Sequence, residues 1–372
     1  MGIFLSSYLV NDLTGSPFLV QIVGAAFFAP MFLTGVLGGV ISDRLDRRRT
    51  LLTVVTLVIP ASVLMATFNL FDSVEVWMVY PYMLVIGIGN MADMTSRRPL
   101  VYDIVGPSRL TNALALEALA MTSGALLGSI AGGSMISLLG IGQGFVLVSA
   151  LYMVSLVLLL RVPAPGVKKR AGPIPNVLQD LRTTLATVPR NAALVSILGV
   201  TILMNAFYFP FTPMVPVFAD QLDVSAFGAG LLAGAPAIGS IGATFLIARG
   251  LPITRGHGYV GGTTLAMAFL GVFAAASWYP MALVALMIAG LGHAGFATMQ
   301  SALVMTTATD EMRGRALGVM SMCIGILPFA MLSLGAAAEL LGPSVGVISG
   351  VVIGLTLMAI WTRLRPESYR QP

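Results

Sequence analysis

The placement of the basic residues constrains this chain more than any other feature. All 20 Lys and Arg fall into six short clusters. Between consecutive clusters lie apolar stretches of roughly 45 to 58 residues, each enough for two helical crossings of about 20 residues. The clusters run from Arg44 to Arg49, Arg97 to Arg109, Arg161 to Arg190, Arg249 to Arg255, Arg313 to Arg315 and Arg363 to Arg370. The alternate connections carry acids instead: Asp12, Asp72, Glu75, Asp220 and Asp223. Lys and Arg accumulate on the cytoplasmic side of a membrane. The pattern therefore implies an all-α, multi-pass integral membrane protein with its basic connections and C-terminus in the cytoplasm. The net charge of +5 then reflects topology rather than nucleic-acid binding. Only 9% of residues are charged and 57% are hydrophobic, against about 25% charged in soluble proteins. A soluble enzyme, a disulfide scaffold and a disordered chain are excluded. The single cysteine, Cys323, cannot form an internal disulfide.

The apolar runs predict spans at 17–42, 50–70, 76–96, 112–138 and 142–161. After a polar connector the remaining spans fall at 192–217, 226–249, 258–278, 280–307, 316–341 and 344–363. Only MGIFLSSYLV precedes Asn11 and Asp12. As a helix it reaches about 15 Å, half of a hydrocarbon core of about 30 Å. It reads as the outer end of a first span whose beginning is absent, giving 11 full spans plus a partial first. A secretory signal is not indicated, since no basic n-region or cleavage-type ending is present. The connector, 162–190, holds Pro163, Pro165, Pro173, Pro175 and the basic group Lys168 to Arg170. It divides the chain into an N-terminal half, 1–161, and a C-terminal half, 191–372. The stretches NDLTGSPFLVQIVGAAFFAP from Asn11 and ADQLDVSAFGAGLLAGAPAI from Ala219 repeat an acid, a short turn and a small-residue helix. Internal repeats of this kind occur in secondary transporters.

The stretch GVISDRLDRRR, Gly39 to Arg49, resembles the loop signature of the major facilitator superfamily. In that family it joins spans two and three on the cytoplasmic side. Asp46 stands where the usual signature has glycine, a variant that resembles the bacterial drug and siderophore exporter branch. TSRRPLVYDIVGPSRLTNALAL from Thr95 and DEMRGRALG from Asp310 resemble the four–five and ten–eleven connections of that branch. The resemblance implies a two-half helical bundle and a cytoplasmic gate made of Gly39, Asp43, Arg44, Arg47 and Arg48. Independently of the family, Asp43 lies at a helix C-terminus, where the dipole disfavours an acid. A guanidinium or the start of span eleven would stabilise it. The arginines also serve to set topology.

In span five, Gly124, Gly128, Gly132 and Gly133 form a stripe on which a neighbouring helix can approach closely. The spacing resembles the family's antiporter motif, with Ser129 in place of its proline, so the packing role survives and the bend is weakened. The resemblance implies efflux rather than uptake.

Ionisable residues inside spans are costly, at least about 2.5–3.5 kcal/mol, and so are candidates for function. Asp93 in span four stands four residues before Arg97. The pair reads as a snorkelling i,i+4 ion pair, as a gate partner for Arg44 or Arg47, or as a proton site. Glu117 in span five has no basic residue within its own span and is a proton-carrier candidate, or faces a wide vestibule. His293 and Gln300 share a face of span ten, while Asn205 and Tyr208 sit on span seven before Pro210, Pro213 and Pro216. The family's cavity is lined by spans one, four, seven and ten, so these residues and Asn90 are candidates for touching substrate or proton. A neutral His293 bonded to a carbonyl is the structural alternative. Span four lacks the family's proton-linked arginine.

No nucleotide-binding loop, metal cluster or catalytic nucleophile is visible. The expected activity is secondary transport without a cofactor. It would export a small hydrophobic or amphipathic molecule, such as a drug, siderophore or metabolite, by proton antiport across a bacterial inner membrane. The expected partners are the lipid bilayer, the substrate and protons, with the protein a monomer. The alternatives are proton-coupled uptake, or a remnant that no longer transports if span one is truly absent.

Overall fold

The computed structural model describes residues 1–42, 46–106, 109–162, 191–249, 254–307 and 313–369, and every regular element among them is helical. Asp43, Arg44 and nearly all of the connector lie outside the described residues.

Helix boundaries follow from local chemistry. α1 (Gly2–Thr14) ends at Gly15, whose φ of 62° lets its amide bond back to the Asn11 carbonyl. α2 (Pro17–Ser42) begins with proline, where no intrahelical donor is lost. α3 (Arg47–Leu70) is capped by the Asp46 carboxylate, which accepts from the Arg49 amide at 3.1 Å. α4 (Val76–Val105), α5 (Leu110–Leu139) and α6 (Ile141–Arg161) follow. α7 (Ala192–Phe207) starts under the Asn191 side chain, which accepts from Leu194 N at 3.0 Å.

The seventh span is not continuous. It stops at Tyr208, tightens into a 3-10 turn over Phe209–Met214 and resumes as α8 (Val215–Gln221). Pro210, Pro213 and Pro216 carry no amide hydrogen, and the irregular backbone is covered by protein: Pro210, Phe211, Pro213 and Met214 are buried. α9 (Ala226–Ala248), α10 (Arg255–Ala274) and α11 (Tyr279–Thr307) follow. The ninth expected span, 258–278, is displaced toward its N-terminus, because the Ala275 and Ala276 amides close the helix on Gly271 and Phe273. The eleventh, 316–341, divides into α12 (Arg313–Ile324) and α13 (Leu327–Leu341). Pro328 cannot donate to the Ile324 carbonyl, so the helix restarts there. α14 (Pro343–Leu364) closes the bundle.

Among the described residues, eight helical segments are long and apolar enough to cross a membrane. α4 is diluted by Tyr80, Pro81, Tyr82, Asn90 and Asp93, and α10 by Arg255, His257 and its glycines. The described, apolar part of α2 is short, Pro17–Phe32.

α1 to α6 pack among themselves, as do α7 to α14. Across the two groups, α2 lies on α12 and α13, α5 lies on α9, and α1 meets α8 and the turn before it. The α5–α9 crossing depends on glycine. A Cβ on Gly133 would stand 3.0 Å from the Gly230 Cα, and one on Gly230 only 2.6 Å from the Ser129 carbonyl oxygen. Gly128 and Gly132 instead receive Met1 and Phe4 of α1, while Gly124 has nothing within 4 Å. The stripe expected from sequence therefore serves two neighbours, one in each group. Leu127, Leu158 and Val352 point outward and are exposed, which suits a lipid rather than an aqueous boundary.

Gly230→Leu is expected to destabilise the protein by about 1–3 kcal/mol through overpacking, read as a lower melting temperature in detergent. Gly124→Leu should leave the melting temperature unchanged.

Candidate functional site

The ionisable residues of α4 come together with α5 and α6. Asp93 and Arg97, one turn apart, form a two-pronged ion pair: Arg97 Nε donates to Asp93 Oδ1 at 2.9 Å and Arg97 Nη2 to Asp93 Oδ2. The planar guanidinium matches the carboxylate geometry. Glu117 of α5 and Tyr152 of α6 are close enough to Asp93 to interact with it electrostatically. Of the readings open for Asp93, the local pair is the one observed. Arg47, its alternative gate partner, bonds Asp103 Oδ2 at 2.5 Å and the Pro99 carbonyl at 3.4 Å. Arg48 Nη2 donates to the Leu160 carbonyl at 2.9 Å. Both arginines thus tie α3 to other helices of the first group. Gly39 lies in α2, and Asp43 and Arg44 fall outside the described residues.

Asp93 and Arg97 line a cavity of about 460 Å³ bordered by α1, α2, α3, α4 and α6. Its polar wall is Asn90, Asp93, Arg97, Tyr82, Tyr152 and Ser155. The rest is aliphatic, including Val54, Val58, Ile86 and Leu151. Asn90, Asp93 and Arg97 reach it together because they are three and four residues apart on one helix. The cavity belongs wholly to the first group, whereas the family resemblance implies a substrate cavity lined by spans one, four, seven and ten.

The remaining candidates cluster in the second group. His293 of α11 stacks on Tyr208 with ring centroids 6.1 Å apart and meets Phe209 edge-on at 5.3 Å. The described residues offer its ring nitrogens no hydrogen bond, so the carbonyl-bonded alternative is not what is seen. The Tyr208 hydroxyl is likewise buried without a partner. Gln300 Nε2 donates to Thr201 Oγ1 at 3.2 Å, Thr201 Oγ1 lies 2.7 Å from the Tyr259 hydroxyl, and that hydroxyl donates to the Ile197 carbonyl at 2.9 Å. Asn205 donates to the Thr201 carbonyl at 2.9 Å. Gln300 and Asn205 are therefore parts of a buried network that ties α7 to α10 and α11. No hydrogen bond or ring contact among the described residues joins this set to Asn90, Asp93 and Glu117.

Two of the inter-group contacts not anticipated from sequence lie beside the broken seventh span. Gln21 of α2 is fully buried, and its Nε2 donates to the Pro210 carbonyl at 2.7 Å. That carbonyl is an acceptor left over by the proline-broken turn. Asn11 Nδ2 donates to Asp220 Oδ2. A lone glutamine inside an apolar span was the available signal; its partner was not legible. Tyr152, Ser155, Thr201 and Tyr259 were also missed, being ordinary residues of apolar helices. Among the described residues no three His, Cys, Asp or Glu side chains come together to hold a metal ion.

The sequence profile of the Major Facilitator Superfamily matches residues 1–253. A comparison with curated proteins gives no match. The fold is similar to that of a mutant of the nucleoside transporter NupG, with a TM-score of 0.76 at 13% identity over 99% of this chain and 95% of that one. It is also similar to a bacterial homolog of the human lysosomal transporter Spinster in an inward-facing, unoccupied conformation (TM-score 0.68, 14% identity, 99% and 97% covered). A third likeness is to a peptide-bound transporter of the POT family (TM-score 0.73, 12% identity, 99% and 96% covered).

Thr201→Val removes the hub of the buried network and leaves the Gln300 amide without its acceptor. The expected loss is about 1–3 kcal/mol, measured by thermal unfolding in detergent.

Proposed function

The chain belongs to the Major Facilitator Superfamily, a family of multi-pass membrane transporters, and on that basis we propose that it exports a small hydrophobic or amphipathic molecule by proton antiport. In this reading the halves 1–161 and 191–372, joined by the connector 162–190, rock about a central substrate path. The protein acts as a monomer in a bacterial inner membrane, with the connector and C-terminus cytoplasmic.

The observation that carries the reading is where the hydrogen bonds between the two groups lie among the described residues. Asn11–Asp220 and Gln21–Pro210 join the groups at the acid-bearing end. At the basic end, Arg47, Arg48 and Arg97 spend their hydrogen bonds inside the first group. Rocking then requires only a few bonds to break at one mouth while each group keeps its own network. With the basic connections cytoplasmic, the acid-bearing end that these bonds join is the outer one. Export rather than uptake rests on the glycine stripe of α5 and on the exporter-like loop of residues 39–49. The largely aliphatic walls around Asp93 favour an apolar or amphipathic substrate.

In this mechanism Asp93 and Glu117 form a coupled carboxylate pair near the inner end, with Arg97 as the counter-charge. Substrate arrival or departure would shift a proton on that pair. Asp43, with Arg44, Arg47 and Arg48, would form the inner gate when the basic end closes.

Transport is tested in proteoliposomes enclosing a pH-sensitive dye, challenged with a panel of amphipathic fluorescent compounds. Export against inward proton flow is expected. Substrate accumulation moving with the proton gradient would reverse the direction assignment. Substrate affinity should differ by about tenfold between about pH 6 and about pH 8, the scale of typical coupling free energies. Glu117→Gln should flatten that dependence while retaining binding, and an unchanged dependence removes Glu117 from the proton path. Asp43→Asn should abolish export and leave membrane insertion intact.

A further inference from the structure

The acid-bearing mouth is closed by a device that the two groups build in the same way. α2 begins after Ser16, whose Oγ accepts from the Leu19 amide at 3.3 Å. α9 begins after Ser225, whose Oγ accepts from the Gly228 amide at 3.4 Å. In each case the capping serine satisfies the amide three residues on, as helix N-caps do. The amide two residues on is left over. In α2 it is Phe18 N, and it donates across the groups to Glu339 Oε2 of α13 at 3.2 Å; Ser16 Oγ donates to the same oxygen at 2.8 Å. In α9 it is Phe227 N, and it donates across the groups to Ser137 Oγ of α5 at 2.9 Å. Each group thus lends the other the acceptor that completes a helix N-terminus.

We propose that these exchanged helix caps, Glu339 on α2 and Ser137 on α9, are the latch that holds the outer mouth shut. The caps act at the positive ends of two helices, where an acceptor is worth most. Glu339 is the stronger of the two because it brings a full negative charge. Residues 1–42, 110–139, 191–248 and 316–362, to which the elements meeting at this mouth belong, contain no Lys, Arg or His. The helix N-terminus is therefore the positive site that Glu339 meets. Opening the mouth must separate α2 from α13 and α9 from α5, which strips one cap from each group at the same moment. Glu339 and Ser137 are positioning residues for the conformational change, remote from Asp93, Glu117 and His293.

The inference rests on the rocking reading above, and the experiment separates the two. Spin labels are placed at Ser73→Cys and Trp278→Cys, exposed positions at the same mouth in opposite groups, in a Cys323→Ala background. The distance distribution is measured in lipid nanodiscs without substrate. Two distances are expected, the shorter one dominant. Glu339→Ala should raise the open-to-closed ratio about tenfold, equivalent to 1.4 kcal/mol, and Ser137→Ala about threefold, at the weaker end for a lost cap. Glu339→Gln, whose amide oxygen still accepts, should recover most of the closed population, and Ser137→Asp should reduce the open one. Ser344→Ala, which removes a bond to Gln221 inside the second group, should change nothing. A second distance that is insensitive to Glu339→Ala, or that responds equally to Ser344→Ala, overturns the latch. A wild-type protein confined to one distance under all variants overturns the rocking itself.

Discussion

A hydrocarbon core offers no hydrogen bond to a backbone amide or carbonyl, so each must find its partner inside the chain. The rest of the architecture depends on that constraint. It makes every regular element among the described residues a helix, and it dictates where helices are allowed to fail. The two interruptions, after Phe207 and after Ile324, occur at prolines that cannot donate, and neither faces lipid with its backbone bare. Pro210, Phe211, Pro213 and Met214 are buried, and the buried amide of Gln21 takes the Pro210 carbonyl. A break that would be prohibitive against lipid becomes a point of contact between the two groups.

The same scarcity of polar partners explains why the few charged and polar side chains in the bundle are grouped. Asp93 keeps Arg97 on its own helix and has Glu117 and Tyr152 nearby. Thr201, Tyr259 and Gln300 satisfy one another across three helices. Helix crossings also rely on close approach, and at the α5–α9 crossing the limiting residues are Gly133 and Gly230. Between the two groups the described residues show a handful of hydrogen bonds beside close packing, as expected where helix surfaces are mostly apolar.

Much of the fold was legible before any coordinates. Charge clusters, apolar run lengths and prolines located nearly all the helices, since these are one-dimensional properties set by the bilayer's thickness and by proline's missing donor. The break at Gly325 was less legible because Pro328 follows a run as apolar as its neighbours. The candidate site was legible only in part. Asp93 and Arg97 are four apart, so their pairing could be read from helix geometry. Glu117 belongs to another helix, and nothing in the chain order says that α5 turns it toward Asp93. Of the glycines from Gly124 to Gly133, Gly128 and Gly132 meet α1, Gly133 meets α9 and Gly124 has nothing within 4 Å, a division that the spacing does not show.

The sequence by itself determined that this chain is a bundle of membrane helices, which way the basic connections are expected to face, and which polar residues would be costly enough to matter. It could do so because a helix in a bilayer is decided locally, by about 20 residues of hydropathy and the charges at their ends. Only the tertiary structure decided which costly residues meet. It put Asp93 with Glu117, separated both from His293, matched Gln21 to the orphaned Pro210 carbonyl, and exchanged Glu339 and Ser137 between the groups. Those meetings depend on the rotation of each helix about its axis and on the crossing of helices far apart in the chain. Hydropathy leaves both free, and close packing of small side chains settles them.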